Sequence, residues 1–157
     1  MDFFFFFLWS GIVFAGPQGW WAILFGGLPD LIPFGTNMIV TPFRNKKHRQ
    51  EFANINGGNQ EQRIENMMAY YEKPENRWVY TLYNYSHSLV VWGVFFTIFV
   101  LVGMQRGFFP YFTFAWLLHI LIDIPTHEKS FFAPKFLTPL SDFNVDGNSW
   151  ANKKFMI

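Results

Sequence analysis

The chain contains no cysteine, which excludes disulfide bonds and thiolate metal ligands. Charge is also scarce, because 15% of its 157 residues are charged, against about 25% in an ordinary soluble domain. No Lys, Arg, Asp or Glu occurs between Asp2 and Asp30, or between Arg77 and Arg106. Each of these stretches is longer than the roughly 20 apolar residues that cross a bilayer core. We therefore predict an integral membrane protein that is surrounded by the lipid bilayer.

A strong positive charge is missing too. The net charge is +1, and no basic patch is interleaved with aromatic residues in the way that nucleic-acid-binding surfaces are. Nucleic acid is therefore not an expected partner. The one basic cluster, "RNKKHR" at 44–49, follows directly after an apolar stretch, so we attribute it to membrane topology and regard His48 within it as a surface residue.

The apolar runs that are present predict an all-α fold forming a single membrane domain over residues 1–157. The first membrane segment is expected over 3–33, kinked or broken at 16–19, where Pro17 removes a backbone donor. The sequence leaves open whether this segment crosses once or forms a broken, re-entrant pair. Further spans are expected over 86–104 and 108–124, which gives three or four transmembrane or re-entrant helices in total.

The polar segments are a loop at 44–80 and an irregular tail at 125–157, which begins where Pro125 ends the last span. The loop should contain an amphipathic helix over about 60–72, lying either on the membrane or against the rest of the protein. Most Lys and Arg residues fall in these two segments, and only Arg106 falls on the other side. The positive-inside rule therefore predicts that the loop and the C-terminus are cytoplasmic. Either segment could dock onto a protein partner, and the tail could instead cover a site as a lid.

Three ionisable residues stand four apart in "LLHILIDIPTHEKS": His119, Asp123 and His127. The first two share one helical face, while Pro125 leaves the position of the third uncertain. Ionisable groups inside a membrane segment are energetically costly and usually face a partner or an ion. Because of the order of the spans, Asp30 and His87 are expected at the same membrane face.

Two kinds of explanation compete for these residues. Together they offer the nitrogen and oxygen ligands that suit a divalent metal such as zinc, manganese or iron. Singly, His119 could be a hydrogen-bonded packing residue, Asp30 a turn or N-cap residue, and Asp123 a partner of Lys129 or Arg77. The convergence of all of them on one side favours the metal site.

At these residues the sequence resembles a known family. "GGLPDL", "YSHSLVVW" and "LLHILIDIPTHE" followed by "FLTPLSDF" are similar to the successive motifs of YdjM-type inner-membrane metal-dependent hydrolases of bacteria and archaea. That family is distantly similar to zinc-dependent phospholipase C and to zinc-dependent single-strand-specific nucleases. The resemblance implies a prokaryotic inner membrane, a preference for zinc, and a set of five metal ligands: Asp30, His87, His119, Asp123 and His127.

A hydrolase of this type would act at the cytoplasmic membrane face, and its substrate would be a phospholipid or another lipid-linked phosphoester. Asp30 or Asp123 would be the general base, and Ser88 or Asn84 would orient the substrate. The alternative is a small non-catalytic membrane subunit of a larger complex, with a structural or vestigial His/Asp metal site.

Overall fold

The computed structural model describes residues 3–14, 16–128 and 132–148. Within them all regular structure is helical and no strand is present, which confirms the all-α expectation. Eight α-helices follow in chain order: α1 (Phe3–Val13), α2 (Gly19–Asp30), α3 (Thr36–Val40), α4 (Lys46–Asn54), α5 (Gln60–Tyr71), α6 (Arg77–Ser86), α7 (Leu89–Arg106) and α8 (Thr113–Thr126). Lys129, Lys153 and Lys154, which were counted among the positive charges of the tail, lie outside the described residues.

The region around Pro17 separates two helices that form a hairpin. α1 ends at Val13 and α2 begins at Gly19, and the two helices pack along each other. Gly11 on α1 lies against Ile23 on α2, where an added Cβ would come within 3.0 Å of the Ile23 side chain. The absence of a side chain at this position therefore lets the helices approach closely.

From Gly19 the chain stays helical as far as Phe43, although its hydrogen-bonding pattern changes on the way. α2 passes into one wider π-type turn over Leu31–Gly35 and then into α3. Pro29 and Pro33, which lack an N–H group, lie just before and within this turn. The wider turn accommodates the missing donors and sets the direction in which the end of α2 points.

Two helices in the described chain are long and apolar enough to cross a membrane. They are Gly19–Phe43, with 25 residues and a mean hydropathy of 1.4, and Leu89–Arg106, with 18 residues and 1.8. A third of the first window and 6% of the second are buried within the protein, whereas the core helix of a soluble protein would be mostly buried. The fold therefore leaves both apolar surfaces largely uncovered.

The expected third span is shorter than predicted. Residues 107–112 are not helical, and α8 has 14 residues, which at 1.5 Å per residue is about 21 Å against a bilayer core of roughly 30 Å. At its other end α8 continues through Pro125 to Thr126, so the expected helix end at Ile124 was wrong by two residues. A proline near a helix end removes only one backbone bond, and its fixed φ is compatible with helix. A count of three or four spans stays a prediction.

Small residues bring α2 and α8 together. Ala22 and Gly26 lie one turn apart on α2 and are buried, and Ala22 packs with Ala115 and Phe112. Small residues at this spacing allow two helix backbones to approach closely. The same contact places the end of α2 beside the second half of α8.

The polar segment at 44–80 is more structured than a loop. Its helices enclose an aromatic core, to which the tail contributes Phe132; the buried members are Ile55, Tyr70, Tyr71, Val79, Tyr83 and Phe132. Ile64, Met67 and Met68 of α5 pack against this core. Of the two alternatives for the amphipathic helix, the structure shows the one in which it packs on the protein.

Candidate metal centre

Four buried ionisable side chains meet where α2, α6 and α8 come together. Asp30 is the last residue of α2, His87 directly follows α6, and His119 and Asp123 lie one turn apart on α8. Each residue is at most 2% exposed. One ligand atom from each lies within 4.8 Å of those of the other three. This group, which we call the four-residue cluster, could hold a metal ion.

The distances within the four-residue cluster fit a small ion. Asp123 Oδ2 lies 3.0 Å from His87 Nε2 and 3.4 Å from His119 Nε2. Asp30 Oδ1 lies 3.7 Å from His87 Nε2, and Asp30 Oδ2 lies 3.7 Å from His119 Nε2. Ligand atoms about 2.0–2.2 Å from a tetrahedral zinc ion lie roughly 3.3–3.6 Å from one another. The distances of Asp123 from the two imidazoles are thus at or just below this spacing, and Asp30 would have to move slightly closer to join the same ion.

Hydrogen bonds on the far side of each ring fix the orientation of the two imidazoles. His87 Nδ1 lies 2.9 Å from Tyr83 O, and His119 Nδ1 lies 2.6 Å from Gly26 O. A carbonyl oxygen only accepts, so Nδ1 carries the proton in both rings. In the neutral imidazole the Nε2 lone pair then faces the carboxylates. Metal-binding histidines are commonly oriented by such a backbone acceptor.

Several polar atoms at the centre of the cluster lack a hydrogen-bond partner. These buried atoms include both carboxylate oxygens of Asp30, Asp123 Oδ2 and His87 Nε2. His87 Nε2 lies 3.0 Å from Asp123 Oδ2, and with the ring proton on Nδ1 neither of these two atoms carries a hydrogen to donate. Buried carboxylates without a partner are destabilising, and a cation at the centre would satisfy them together. The donor set therefore fits a divalent metal, whose identity the geometry does not determine.

Helix α6 holds the end of α2 in place. Ser86 Oγ donates to Pro29 O at 2.7 Å, and Trp116 Nε1 on α8 donates to Ser86 O at 2.7 Å. In a regular α-helix Pro29 O would accept from the N–H of residue 33, but that residue is a proline and has none. The hydroxyl of Ser86 therefore supplies a donor to this carbonyl and joins α6 to the segment that carries Asp30.

His127, the fifth predicted ligand, lies beside the four-residue cluster and not within it. Its Nδ1 donates to Asp123 O at 3.1 Å and lies 3.8 Å from Asp123 Oδ1. The side chain is buried, and burial lowers the pKa of this imidazole below its ordinary value. The neutral form is thus favoured, and in this structure the ring supports the backbone at Asp123.

Tyr83 belongs to the site, although the sequence analysis did not identify it. Its ring stacks on that of His87, with centroids 3.9 Å apart and an interplanar angle of 28°. Burial, followed by the charges of Asp123 and Asp30, raises the pKa of Tyr83 well above its ordinary value, so the hydroxyl remains a donor. Within the described part of the chain the hydroxyl makes no well-aligned hydrogen bond, and the side chain with which it interacts is that of Asp123. In the sequence, the one indication that Tyr83 belongs to the site is its position one helical turn before His87.

The two predicted substrate-orienting residues bind the tail. Ser88 Oγ accepts from Val90 N at 3.1 Å, which caps the start of α7, and it donates to Thr138 O. Asn84 Oδ1 accepts from Lys135 N at 3.2 Å. In this structure both side chains are therefore occupied in holding residues 132–148 next to the site.

The other end of the tail is bonded to the end of α8. Gly147 N donates to His127 O at 2.9 Å, and Asn148 N donates to Pro125 O at 2.9 Å. A Cβ on Gly147 would fall 2.8 Å from His127 O and still closer to Pro125 O, so only glycine fits here. The tail is therefore bonded both to residues next to His87 and to the end of α8 that follows Asp123, and its role as a lid stays a prediction.

His48 is not the surface residue that its basic neighbours suggested. It is 6% exposed, and its Nε2 lies 2.7 Å from Arg44 Nη1 and 2.9 Å from Tyr70 Oη. Arg44 Nη1 also donates to Asn76 Oδ1 at 2.8 Å. The correction follows from α4, which turns this one residue of the basic cluster toward the aromatic core. His48 therefore packs against the aromatic core through Tyr70 and is not one of the candidate ligands.

No protein-family model, curated protein or solved structure matches the chain.

Proposed function

We propose that the protein is a membrane-bound metal-dependent hydrolase that acts at the cytoplasmic membrane face on a phospholipid or another lipid-linked phosphoester. The observation that carries the proposal is the four-residue cluster, in which two imidazole nitrogens converge on two buried carboxylates. The similarity of the chain's motifs to YdjM-type hydrolases supports the same activity, and it favours zinc as the metal.

The membrane location rests on the two long apolar helices and on charge. Gly19–Phe43 and Leu89–Arg106 are long enough to cross and are largely uncovered. The positive charges of 44–80 follow the first of these helices and precede the second, which favours a cytoplasmic position for this segment. His87 lies two residues before the second helix and thus near that face, whereas Asp30 lies about halfway along the first. A substrate taken from the membrane would meet the cluster at that face.

In this proposal the residues of the cluster have different chemical roles. A bound divalent metal lowers the pKa of a water molecule and stabilises negative charge on a phosphoryl oxygen. His87, His119 and Asp123 would hold the ion, because Asp123 Oδ2 lies within 3.4 Å of both imidazole nitrogens. Asp30 lies farther away, at 3.7 Å from each, and neither of its oxygens has a hydrogen-bond partner. It is therefore the better general base, while the Tyr83 hydroxyl is available to donate to the substrate.

A structural metal site in a non-catalytic subunit is the second candidate. One observation favours it: all four residues are at most 2% exposed, and structural metal sites are closed, whereas catalytic sites keep an open position. In the hydrolase proposal the tail at 132–148 has to move away from the site to admit substrate. In the subunit proposal it remains in place.

Metal content and lipid turnover of the full chain test the proposal. Detergent-purified protein should contain stoichiometric metal, and the variants His119→Ala and Asp123→Ala should lose it. The matched control is Asp142→Ala, which removes an exposed aspartate paired with Lys135 at 2.8 Å. In liposomes supplied with zinc or manganese, the wild type should hydrolyse phospholipid and the two site variants should not. Metal without turnover would establish the structural role, and absence of metal from the wild type would reject both.

A further inference from the structure

Two rows of apolar side chains face each other across a gap between α2 and α7. Each row repeats every three or four residues, so its members lie on one face of their helix. The first row consists of Trp21, Phe25 and Leu28 on α2 and of Ile32 in the π-type turn that follows it. The row on α7 consists of Val91, Phe95, Phe99 and Val102.

These rows line two adjoining cavities, of about 200 Å³ and about 430 Å³. Phe25 and Phe99 border both, so the cavities form one continuous groove, and Trp116 and Phe112 of the α8 region complete its lining. Among the residues that the structure describes, no charged one lines either cavity. We call this feature the α2/α7 groove, and its surface is suited to a hydrocarbon ligand.

The groove follows α7 for most of its length. From Val91 to Val102 the rise of 1.5 Å per residue gives about 16 Å, and Phe108, just beyond the end of α7, lines the far end. The side of α7 away from the protein is also exposed, with Val94 at 55% and Leu101 at 57%. In a bilayer the groove would therefore open to acyl chains.

One end of the groove lies next to the candidate metal centre. Ser86, the residue before His87, lines the smaller cavity, and its Oγ lies 3.2 Å from His87 Nδ1. The larger cavity ends at Gln18, whose Nε2 donates to Phe109 O at 2.8 Å. A chain lying in the groove with its polar end beside Ser86 would have its methyl end toward the C-terminal end of α7.

We propose that the α2/α7 groove binds one acyl chain of a membrane lipid, whose head group then lies at the four-residue cluster. The position of the head group rests on the proposed function, whereas binding of the chain does not require that the lipid be hydrolysed. The groove would select a lipid with a long unbranched chain over a water-soluble phosphoester.

Photo-cross-linking tests the binding of the chain. The full-length protein is reconstituted in phosphatidylglycerol liposomes that contain a phospholipid with a diazirine near the end of one acyl chain. Mass spectrometry should locate the adduct on Phe25, Phe99 or their neighbours in the groove. Val91→Trp fills the groove and should lower this cross-linking by about tenfold or more. The matched control, Val94→Trp, places the same side chain on the outer face of α7 and should cross-link like the wild type.

A second variant, Leu82→Trp, narrows the groove from α6 and should also lower the cross-linking, which guards against a folding defect at one position. Adducts spread evenly around α7, or undiminished adducts in both groove variants, would overturn the proposal. So would a wild type without groove adducts, as expected if a second copy or another segment filled the gap. Groove adducts in a protein that neither binds metal nor hydrolyses lipid would reject the proposed function and leave the acyl-chain site in place.

Discussion

His87 Nε2 lies 3.0 Å from Asp123 Oδ2, while the opposite nitrogen of the same ring donates to Tyr83 O at 2.9 Å. A nitrogen lone pair is thereby held against a carboxylate in a buried position. Such a pair needs a positive charge, supplied by a metal ion or by a proton on Nε2. The two sources differ in one measurable respect, because only the first depends on added metal.

Metal should therefore stabilise the folded protein. Adding zinc to chelator-treated wild type should raise the Tm, since a ligand that binds only the folded state contributes about 2.7 kcal/mol at a free concentration of 100 Kd. Asp123→Asn should abolish the shift, and Asp142→Asn should retain it, because Asp142 is exposed and paired with Lys135. The measurement is thermal denaturation in detergent with and without zinc. Equal shifts in the two variants would contradict a metal at the four-residue cluster.

Deleting the Tyr83 hydroxyl should not lower stability. Among the described residues this buried group makes no well-aligned hydrogen bond, although it interacts with the Asp123 side chain, so Tyr83→Phe removes a poorly satisfied polar group and keeps the ring that stacks on His87. Tyr70→Phe is the matched control, because the Tyr70 hydroxyl lies 2.9 Å from His48 Nε2, and its loss should cost about 0.5–1.5 kcal/mol. Denaturation of both metal-free variants checks the contrast. A larger loss in Tyr83→Phe than in Tyr70→Phe would show that the hydroxyl is already bonded.

The sequence predicted four of the residues that meet and one that does not. Asp30, His87, His119, Asp123 and His127 were expected together because the order of the apolar segments would bring them to one face; the structure places ligand atoms of the first four within 4.8 Å, and His127 lies beside them. The helical spacing of His119 and Asp123 was enough to place those two on one face of α8. The argument for the others assumed alternating spans, whose number stays a prediction.

Features that depend on tertiary packing could not be predicted in this way. His48 is buried because α4 turns it toward Tyr70, and Phe132 joins the core from a tail that lacks periodicity. The role of Tyr83 depends on the ring of His87, which lies just beyond the end of α6. Hydropathy patterns describe one helix at a time and do not report such contacts between segments.

Lowering the pH should reduce the stability of the folded protein, because His48 becomes protonated. Arg44 can only donate, so Nε2 accepts from it and carries no proton, and burial followed by the charge of Arg44 lowers the pKa of His48. The folded state then binds fewer protons than the unfolded state between this lowered value and the ordinary 6.5. Stability therefore rises with pH across that window, is fully present above about 6.5, and is lost as the pH falls.

A comparison with His48→Gln isolates this effect. The other three histidines are present in both proteins, and the charged neighbours of His48, namely Arg44, Glu51, Lys73 and Glu75, are unchanged. When the pH is lowered from about 7.5 to about 5.5, across the ordinary histidine pKa, the Tm of the wild type should fall by more than the Tm of the variant. Parallel losses would show that protonation of His48 does not weaken the fold.

Adding one methyl group at Gly147 should release the tail from the end of α8. Gly147→Ala places a Cβ 2.8 Å from His127 O and closer still to Pro125 O, so the bonds from residues 147 and 148 to the end of α8 cannot form. The helices do not depend on these bonds, and helical content should be unchanged. Gly93→Ala is the matched control, because nothing lies within 4 Å of a Cβ at Gly93.

Amide hydrogen exchange and limited proteolysis measure the release. In Gly147→Ala the amides of 147 and 148 should exchange faster, and cleavage should begin within 132–148, whereas Gly93→Ala should behave as the wild type. If the tail acts as a lid, its release should also speed the exchange of metal at the four-residue cluster, because the site then becomes open to water. Faster amide exchange with unchanged metal exchange would show that the tail contacts the site without covering it.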